Sequence, residues 1–323
     1  MSALRVYFAF AGSIGLLGLA EPAAALTKQA WVSTAHGSDV AGCGLVASPC
    51  LSLQYAADHA VVAGGEIDIL DPGDYGPLTI RKALSVVNDG PAALSGGAGA
   101  TIAINAGSTD AVFLRGLVLD GKRVTSVGIA FSSGGSLVVS NCVVKRFANV
   151  GIDIAPTLSA TFSIVDTITA DNWSTSGGGA GVSVSTPSSG RVSGTIEHLT
   201  TVDNLLQNDS PGYGVELVSG GAGSVNVMIL NSVAAGNSVG VQAAASSTGT
   251  VAAMVRNTAA NGNGTGFQTF GAPSAMYLGH VAASGNGAGA DNFAGGTIFS
   301  YGDNDINGNF ADVNGSLTAV AMK

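Results

Sequence analysis

The chain has 323 residues, enough for one elongated domain or two compact ones, and 46% of it is apolar while only 10% is charged. That balance excludes a disordered polymer, which needs low hydrophobicity and high charge. A formal net charge of −9 argues against a general nucleic-acid surface, which requires clustered cations, so no nucleic-acid partner is expected.

In chain order, residues 1–25 read as a signal peptide. Arg5 supplies a short basic region, Val6 to Leu19 an apolar run, and Ala23-Ala24-Ala25 a small-residue cleavage site before Leu26. The run is shorter than the ~18–20 residues of a spanning helix, and no later segment could cross a bilayer. The mature chain is therefore expected to be secreted or periplasmic. Residues 26–65 are expected to form an N-terminal cap. Within it, Cys43 and Cys50 lie close enough for a local disulfide in an exported protein, whereas Cys142 reads as a small buried hydrophobe. Ser52 can cap a helix over residues 53–63, with apolar residues at 53, 56, 57, 60 and 61 and Gly64-Gly65 as its stop. Glu66 to Leu70 alternates as a strand does, and Asp71 to Tyr75 reads as a turn. A helix here would close the open end of a strand stack, whose unpaired edge otherwise invites association.

From residue 66 to 309 one phrase recurs: a turn residue, then a glycine, then a branched apolar or aromatic residue. The glycines stand at 128, 151, 181, 214, 240 and 266, in steps of 23, 30, 33, 26 and 26. Their turn residues are Val124, Phe147, Asn172, Asn204, Asn237 and Asn263, and Asn286 and Asn309 continue that column. Six residues earlier comes a second polar column: Asn141, Asp166, His198, Asn231, Asn257, His280 and Asp303. Repeats of this length are too short in helical pattern for a helical solenoid. They hold only short β-type runs, such as Leu137-Val138-Val139 and Val225 to Leu230. The fold class predicted is all-β: a right-handed single-stranded parallel β-helix, three short strands to a coil, with an N-terminal capping helix. Successive coils would stack at roughly 4.8 Å. Asn suits the inward turn because it tolerates left-handed geometry and its amide can bond to the Asn above and below. The first coils are read at 78–80, 84–87, 101–104, 112–114 and 117–119, and residues 310–323 as a last strand and cap.

The run Gly37-x-Asp39, Cys43, Ser48-Pro49-Cys50, Leu53-Gln54-x-Ala56, Gly64-Gly65-x-Ile67 and Pro72-Gly73-x-Tyr75 resembles the N-terminal signature of secreted bacterial right-handed parallel β-helix proteins of the pectate-lyase-like fold. The resemblance covers essentially the whole mature chain and implies the fold. The family spans lyases, hydrolases, epimerases and adhesins, so activity has to be argued from the site. The Asn-x-Asp, Asp-Asp and Gly-His-Gly motifs of its polygalacturonases are absent.

Two coils are longer, by additions between turn and glycine at 172–180 and 204–213; they carry Trp173 and Tyr213 and should project side by side. The 23-residue step places Lys122 over Lys145 and Arg123 over Arg146, with Asp120 and Asp171 nearby. That patch is either a solvated corner of local ion pairs or a contact for an acidic sugar. The residue two after each glycine forms an outward column: Ala130, Asp153, Ser183, Glu216, Gln242 and Gln268. Asp153 and Glu216 would stand two rungs, roughly 9–10 Å, apart, near the upper end of the ~6.5–9.5 Å of inverting glycosidases. They are candidate catalytic carboxyls, with Lys145 and Arg146 as candidate catalytic cations. Lys122, Arg123, Lys145, Arg146, Trp173 and Tyr213 are the candidate ligand-binding residues. Asp303-x-Asp305-x-Asn307-Gly308 matches half a calcium loop, but its twelfth position is Asn314 rather than Glu. Calcium is thus the one conceivable cofactor, without a complete motif to support it; no other cofactor is implied, and no metal ligands are assigned. The expected function is binding of an extracellular polysaccharide, possibly acidic, along one face by a monomer or trimer. A lyase or hydrolase of the same fold and a structural or adhesive surface protein are the alternatives.

Overall fold

The computed structural model describes residues 26–90, 92–97, 99–173, 179–186, 189–205, 211–246 and 248–321. Among these residues the chain winds into a right-handed parallel β-helix of three sheets with 12, 10 and 10 strands. Sheet 1 runs from Thr27–Val32 to Leu317–Ala319, sheet 2 from Gly73–Asp74 to Asp305–Ile306, and sheet 3 from Leu78–Ile80 to Ala311–Asn314. Each coil visits the sheets in turn, as Ser136–Ser140, Val143–Lys145 and Val150–Ile154 do. Alternate side chains point into the cylinder, so Ile129, Ile152, Val182, Val215, Val241 and Phe267 form one buried stack. The signal-peptide expectation, the tips of both long loops at 174–178 and 206–210, and the last two residues lie outside the described residues.

The recurring phrase has a physical cause at both of its ends. Asn172, Asn204, Asn237, Asn263, Asn286 and Asn309 form one amide ladder, buried at all but Asn309. In it the Oδ1 of each Asn from Asn204 onward accepts from the backbone N–H of the Asn one coil earlier, at 2.9–3.1 Å, and that of Asn172 accepts from Phe147 N. Left-handed geometry is not the reason for asparagine there. The left-handed residues are the ones just before it: Arg146, Asp171 and Asp203, then Gly236, Gly262, Gly285 and Gly308. The earlier polar column does turn left-handed, with φ of 48–52° at Asn141, Asp166, His198, Asn231, Asn257 and His280. The glycine column exists because the coils approach closely there. A Cβ on Gly214 would stand 2.5 Å from the carbonyl oxygen of Gly240, and one on Gly240 as close to that of Gly266. Gly289, where a Cβ would meet Asp312 O at 2.6 Å, extends the column one coil beyond its expected end.

Two expectations fail locally. The helix spans Leu53–His59 rather than running to residue 63, although Ser52 does cap it by accepting from Tyr55 N. Val61 is already in register with Thr27, and strand Val61–Ile69 takes over what helical periodicity alone would assign to the helix. Gly64 and Gly65 sit inside that strand. They fall where the register against Thr27–Val32 slips between Thr27 and Gln29, a use of glycine common at bulges. Val124 also leaves its column: Phe147 is fully buried, whereas Val124 is 83% exposed. The register runs Asp120 to Lys145 before the turn and Val127 to Val150 after it, so the turn at 121–126 holds two extra residues.

Cys43 and Cys50 are joined, with Cα atoms 4.9 Å apart, in a loop whose backbone bonds Trp31 to Gly44 and Cys50. Replacing both with serine is expected to weaken the cap by about 2 kcal/mol, as for a short loop. Amide exchange at Trp31 and Ser33 should accelerate while that at Val241 stays unchanged; faster exchange at Val241 would show that the bridge supports the whole solenoid.

Candidate functional site

The outward column of sheet 3 is continuous across the coils. Strand register sets Ala130 beside Asp153, Asp153 beside Ser183, Ser183 beside Glu216, Glu216 beside Gln242 and Gln242 beside Gln268. It continues to Asp291 and Asn314. Asp291 lies two residues after Gly289, so the same spacing rule finds it once that glycine is recognised. The column is laced by hydrogen bonds: Gln242 Nε2 donates to Gln268 Oε1 at 2.6 Å, Gln268 Nε2 to Asp291 Oδ2 at 3.2 Å, and Asn314 Nδ2 to Asp291 Oδ1 at 3.1 Å. Ser183 Oγ donates a long bond to Glu216 Oε2, 3.5 Å. Tyr213, the first residue of strand Tyr213–Ser219, is half-buried and lies near Glu216 and Gln242.

Desolvation dominates the electrostatics of this face. It pushes the Asp153 carboxyl up to about 6. Glu216 rises to about 7, first through desolvation and further through the charge of Asp153, against the opposing bond from Ser183. The Tyr213 phenol is raised by burial and then by the charge of Glu216. Two carboxyls that titrate near neutrality, coupled across one intervening hydroxyl, can hold or release a proton near a ligand.

The expected basic patch is kept in part: Arg123 does stand over Arg146, its N–H donating to the Arg146 carbonyl at 2.7 Å. Because of the longer turn at 121–126, Lys145 stands beside Asp120, not under Lys122. Arg146 is clamped to Asp120 through Nε at 2.9 Å and through Nη2, and Arg123 Nη2 meets Asp171 Oδ2 at 2.5 Å. Lys122 reaches Ser95 at 3.0 Å and Asp74 at 3.5 Å. The Arg123 guanidinium also lies 5.1 Å from the centre of the Trp173 ring, so one face of that ring is already occupied. These residues stand at the corner between sheets 2 and 3, while Asp153 and Glu216 stand on the open face of sheet 3. The pairs are exposed enough for solvent to screen them, so each contributes little to stability, but they offset the charge of three of the four corner cations.

A groove of about 570 Å³ lies on the outer face of sheet 1, lined among others by Thr195, Asn226, Met228, Met254 and Tyr277. Its lining holds no carboxylate, imidazole, lysine or arginine, whereas the file along sheet 3 carries Asp153, Glu216 and Asp291. No group of three or more potential metal ligands occurs among the described residues.

No protein-family model and no curated protein matches the chain. Among solved structures it is similar to that of pectate lyase Pel9A, with a TM-score of 0.57 at 15% sequence identity, over 93% of this chain and 80% of that one. At that identity the likeness shows a common fold and nothing about chemistry.

Proposed function

We propose that this chain binds an extracellular polysaccharide along the outer face of sheet 3. One observation carries the reading: the unbroken file of hydrogen-bonding side chains from Asp153 to Asn314, one to each rung. A polymer lying along the helix axis would meet a donor or acceptor at every coil, roughly 4.8 Å apart, and many modest contacts would add along its length. The Cys43–Cys50 bridge supports an oxidising, exported setting, and no helix among the described residues is long and apolar enough to cross a membrane. Of the residues expected to contact ligand, Tyr213 has the strongest support because it adjoins the column. Trp173 and the four corner cations remain secondary candidates.

Affinity electrophoresis through polysaccharide gels tests this. Gln242→Ala combined with Gln268→Ala should weaken retention about tenfold, from the loss of one to two net hydrogen bonds of about 1 kcal/mol each. Unchanged retention would remove sheet 3 from the binding face.

A second reading, hydrolysis at the same face, has specific support in the pair Asp153 and Glu216. They stand two rungs apart with their carboxyls lifted to about 6 and about 7, a range suited to a general acid. Release of reducing ends that disappears in Glu216→Gln would establish it. If a glycan panel yields no product, hydrolysis is discarded and binding stands.

A further inference from the structure

We infer that the polymer taken by sheet 3 is an uncharged glycan, not a uronate. The inference deepens the binding reading above and rests on it. None of the ten strands of sheet 3 contains a lysine or an arginine. Its outward column instead carries three acids, Asp153, Glu216 and Asp291. Of the four cations at the corner with sheet 2, three are already engaged: Arg123 by Asp171, Arg146 by Asp120, and Lys122 by Ser95 and Asp74, while Lys145 lies in the sheet 2 strand Val143–Lys145 rather than on sheet 3. A uronate lying along the column would set its carboxylates about one rung from those acids. Above pH 7, the usual range of native electrophoresis, Asp153 and Glu216 carry charge, and at roughly 5 Å the repulsion between like charges exceeds what a single hydrogen bond returns. Salt relieves it little, because that distance is shorter than the Debye length of about 8 Å at physiological ionic strength.

What the column offers suits hydroxyl groups. A carboxamide carries both donor and acceptor atoms, so Gln242, Gln268 and Asn314 can meet a sugar hydroxyl in either sense. Ser183 and Tyr213 have the same versatility. The acids accept from hydroxyls without needing a counter-charge. The expectation of an acidic polymer rested on a basic corner in which three of the four cations, Lys122, Arg123 and Arg146, are paired with acids, leaving Lys145 alone beside the already engaged Asp120.

The test is affinity electrophoresis of the wild type through gels of neutral polymers (galactan, xylan, mixed-linkage glucan), of polygalacturonate and alginate with and without calcium chloride, and of chitosan. Retention by at least one neutral gel, with uronate gels weaker by roughly tenfold or more, supports the inference. Equal or stronger retention by a uronate gel, in either calcium condition, overturns it, as does preference for chitosan. Retention by no gel overturns both this inference and the binding reading, so the two failures are distinguishable. Gln242→Lys should weaken retention by the neutral gel and create retention by polygalacturonate. Ser163→Lys, the same charge change on the outer face of sheet 1, should do neither. If both variants gain uronate binding alike, net charge is responsible and the column is not. Thermal unfolding of each variant verifies that it is folded.

Discussion

Asn237→Ala is expected to destabilise the solenoid by about 3–5 kcal/mol, the largest effect of any single side chain in the amide ladder. Asn237 is 2% exposed. Its Oδ1 accepts from the backbone N–H and the side-chain amide of Asn204, and its Nδ2 donates to Asn263 Oδ1 and to the carbonyls of Thr201 and Ala235. Alanine leaves a buried N–H on one side, an uncovered amide oxygen on the other and a small cavity between them. Unsatisfied buried groups cost about 1–3 kcal/mol each, and water has no route to replace the lost partners. Asn309→Ala provides the comparison. That residue is half-buried, and beyond it the ladder meets only Asp312, so the loss should be about 1–2 kcal/mol. Denaturant titration of both variants decides the point. Because coils can open one at a time, fluorescence and circular dichroism should be followed together. Equal losses at the two positions would mean that the ladder contributes no more in the middle than at its end.

The second large effect is on the alkaline side of the stability profile. Asp153 rises from its ordinary 3.8 to about 6 and Glu216 from 4.5 to about 7. The folded state therefore holds these protons more tightly than the unfolded chain does. The associated stability is fully present below about pH 4 and is lost as pH climbs through 6 and 7. Each group should cost roughly 2–3 kcal/mol by pH 8, since both keep some contact with water. Asp153→Asn and Glu216→Gln are accordingly expected to be more stable than the wild type at pH 8 and nearly equal to it at pH 4. Asp71 acts in the opposite sense. Burial pushes its carboxyl up, but hydrogen bonds from Ser33, Tyr75 and Thr34 outweigh this and hold it well below the usual range. Its contribution is lost only in strong acid. Thermal unfolding between pH 4 and pH 8 is the measurement. A Glu216→Gln curve parallel to that of the wild type would show that the carboxyl is not desolvated in the folded state.

Stability gained by removing an acid is the mark of a group retained for something other than folding. The ladder and the carboxyl column thus separate two kinds of buried polarity in one coil. Asn237 has its hydrogen bonds within the protein and stabilises the stack. Glu216 has one long bond from Ser183 and an outward aspect, which leaves it available to a ligand.

Much of the architecture was legible because a solenoid repeats its constraints. The turn asparagines and the glycine three to ten residues after each recur since every coil must satisfy the same buried N–H and pass the same carbonyl. A period of 23–33 residues read from the glycines equals the strand register of sheet 3. The outward column followed from the glycine spacing alone, which is why Asp153, Ser183, Glu216, Gln242 and Gln268 could be placed together beforehand. Asp291 falls under the same rule through Gly289, whose column is harder to see because Ala290, not a branched residue, follows it. The corner at 121–126 was not legible. Two additional residues there, with Lys122 and Arg123 both left-handed at φ 50° and 61°, break a 23-residue step that holds on the far side of the turn. Nor does helical periodicity reveal that Val61 will pair with Thr27 and end the helix early.

The sequence by itself determined the coil, its inward and outward faces and the identity of the file along sheet 3. These depend on alternation and period, which are local and repeated many times. Only the tertiary structure decided which charges are free. Arg123 and Asp171, or Arg146 and Asp120, are separated by more than twenty residues in the chain and become partners through the length of a single turn. Desolvation of Asp153 and Glu216 likewise depends on what packs around them, a property that no spacing along the chain encodes.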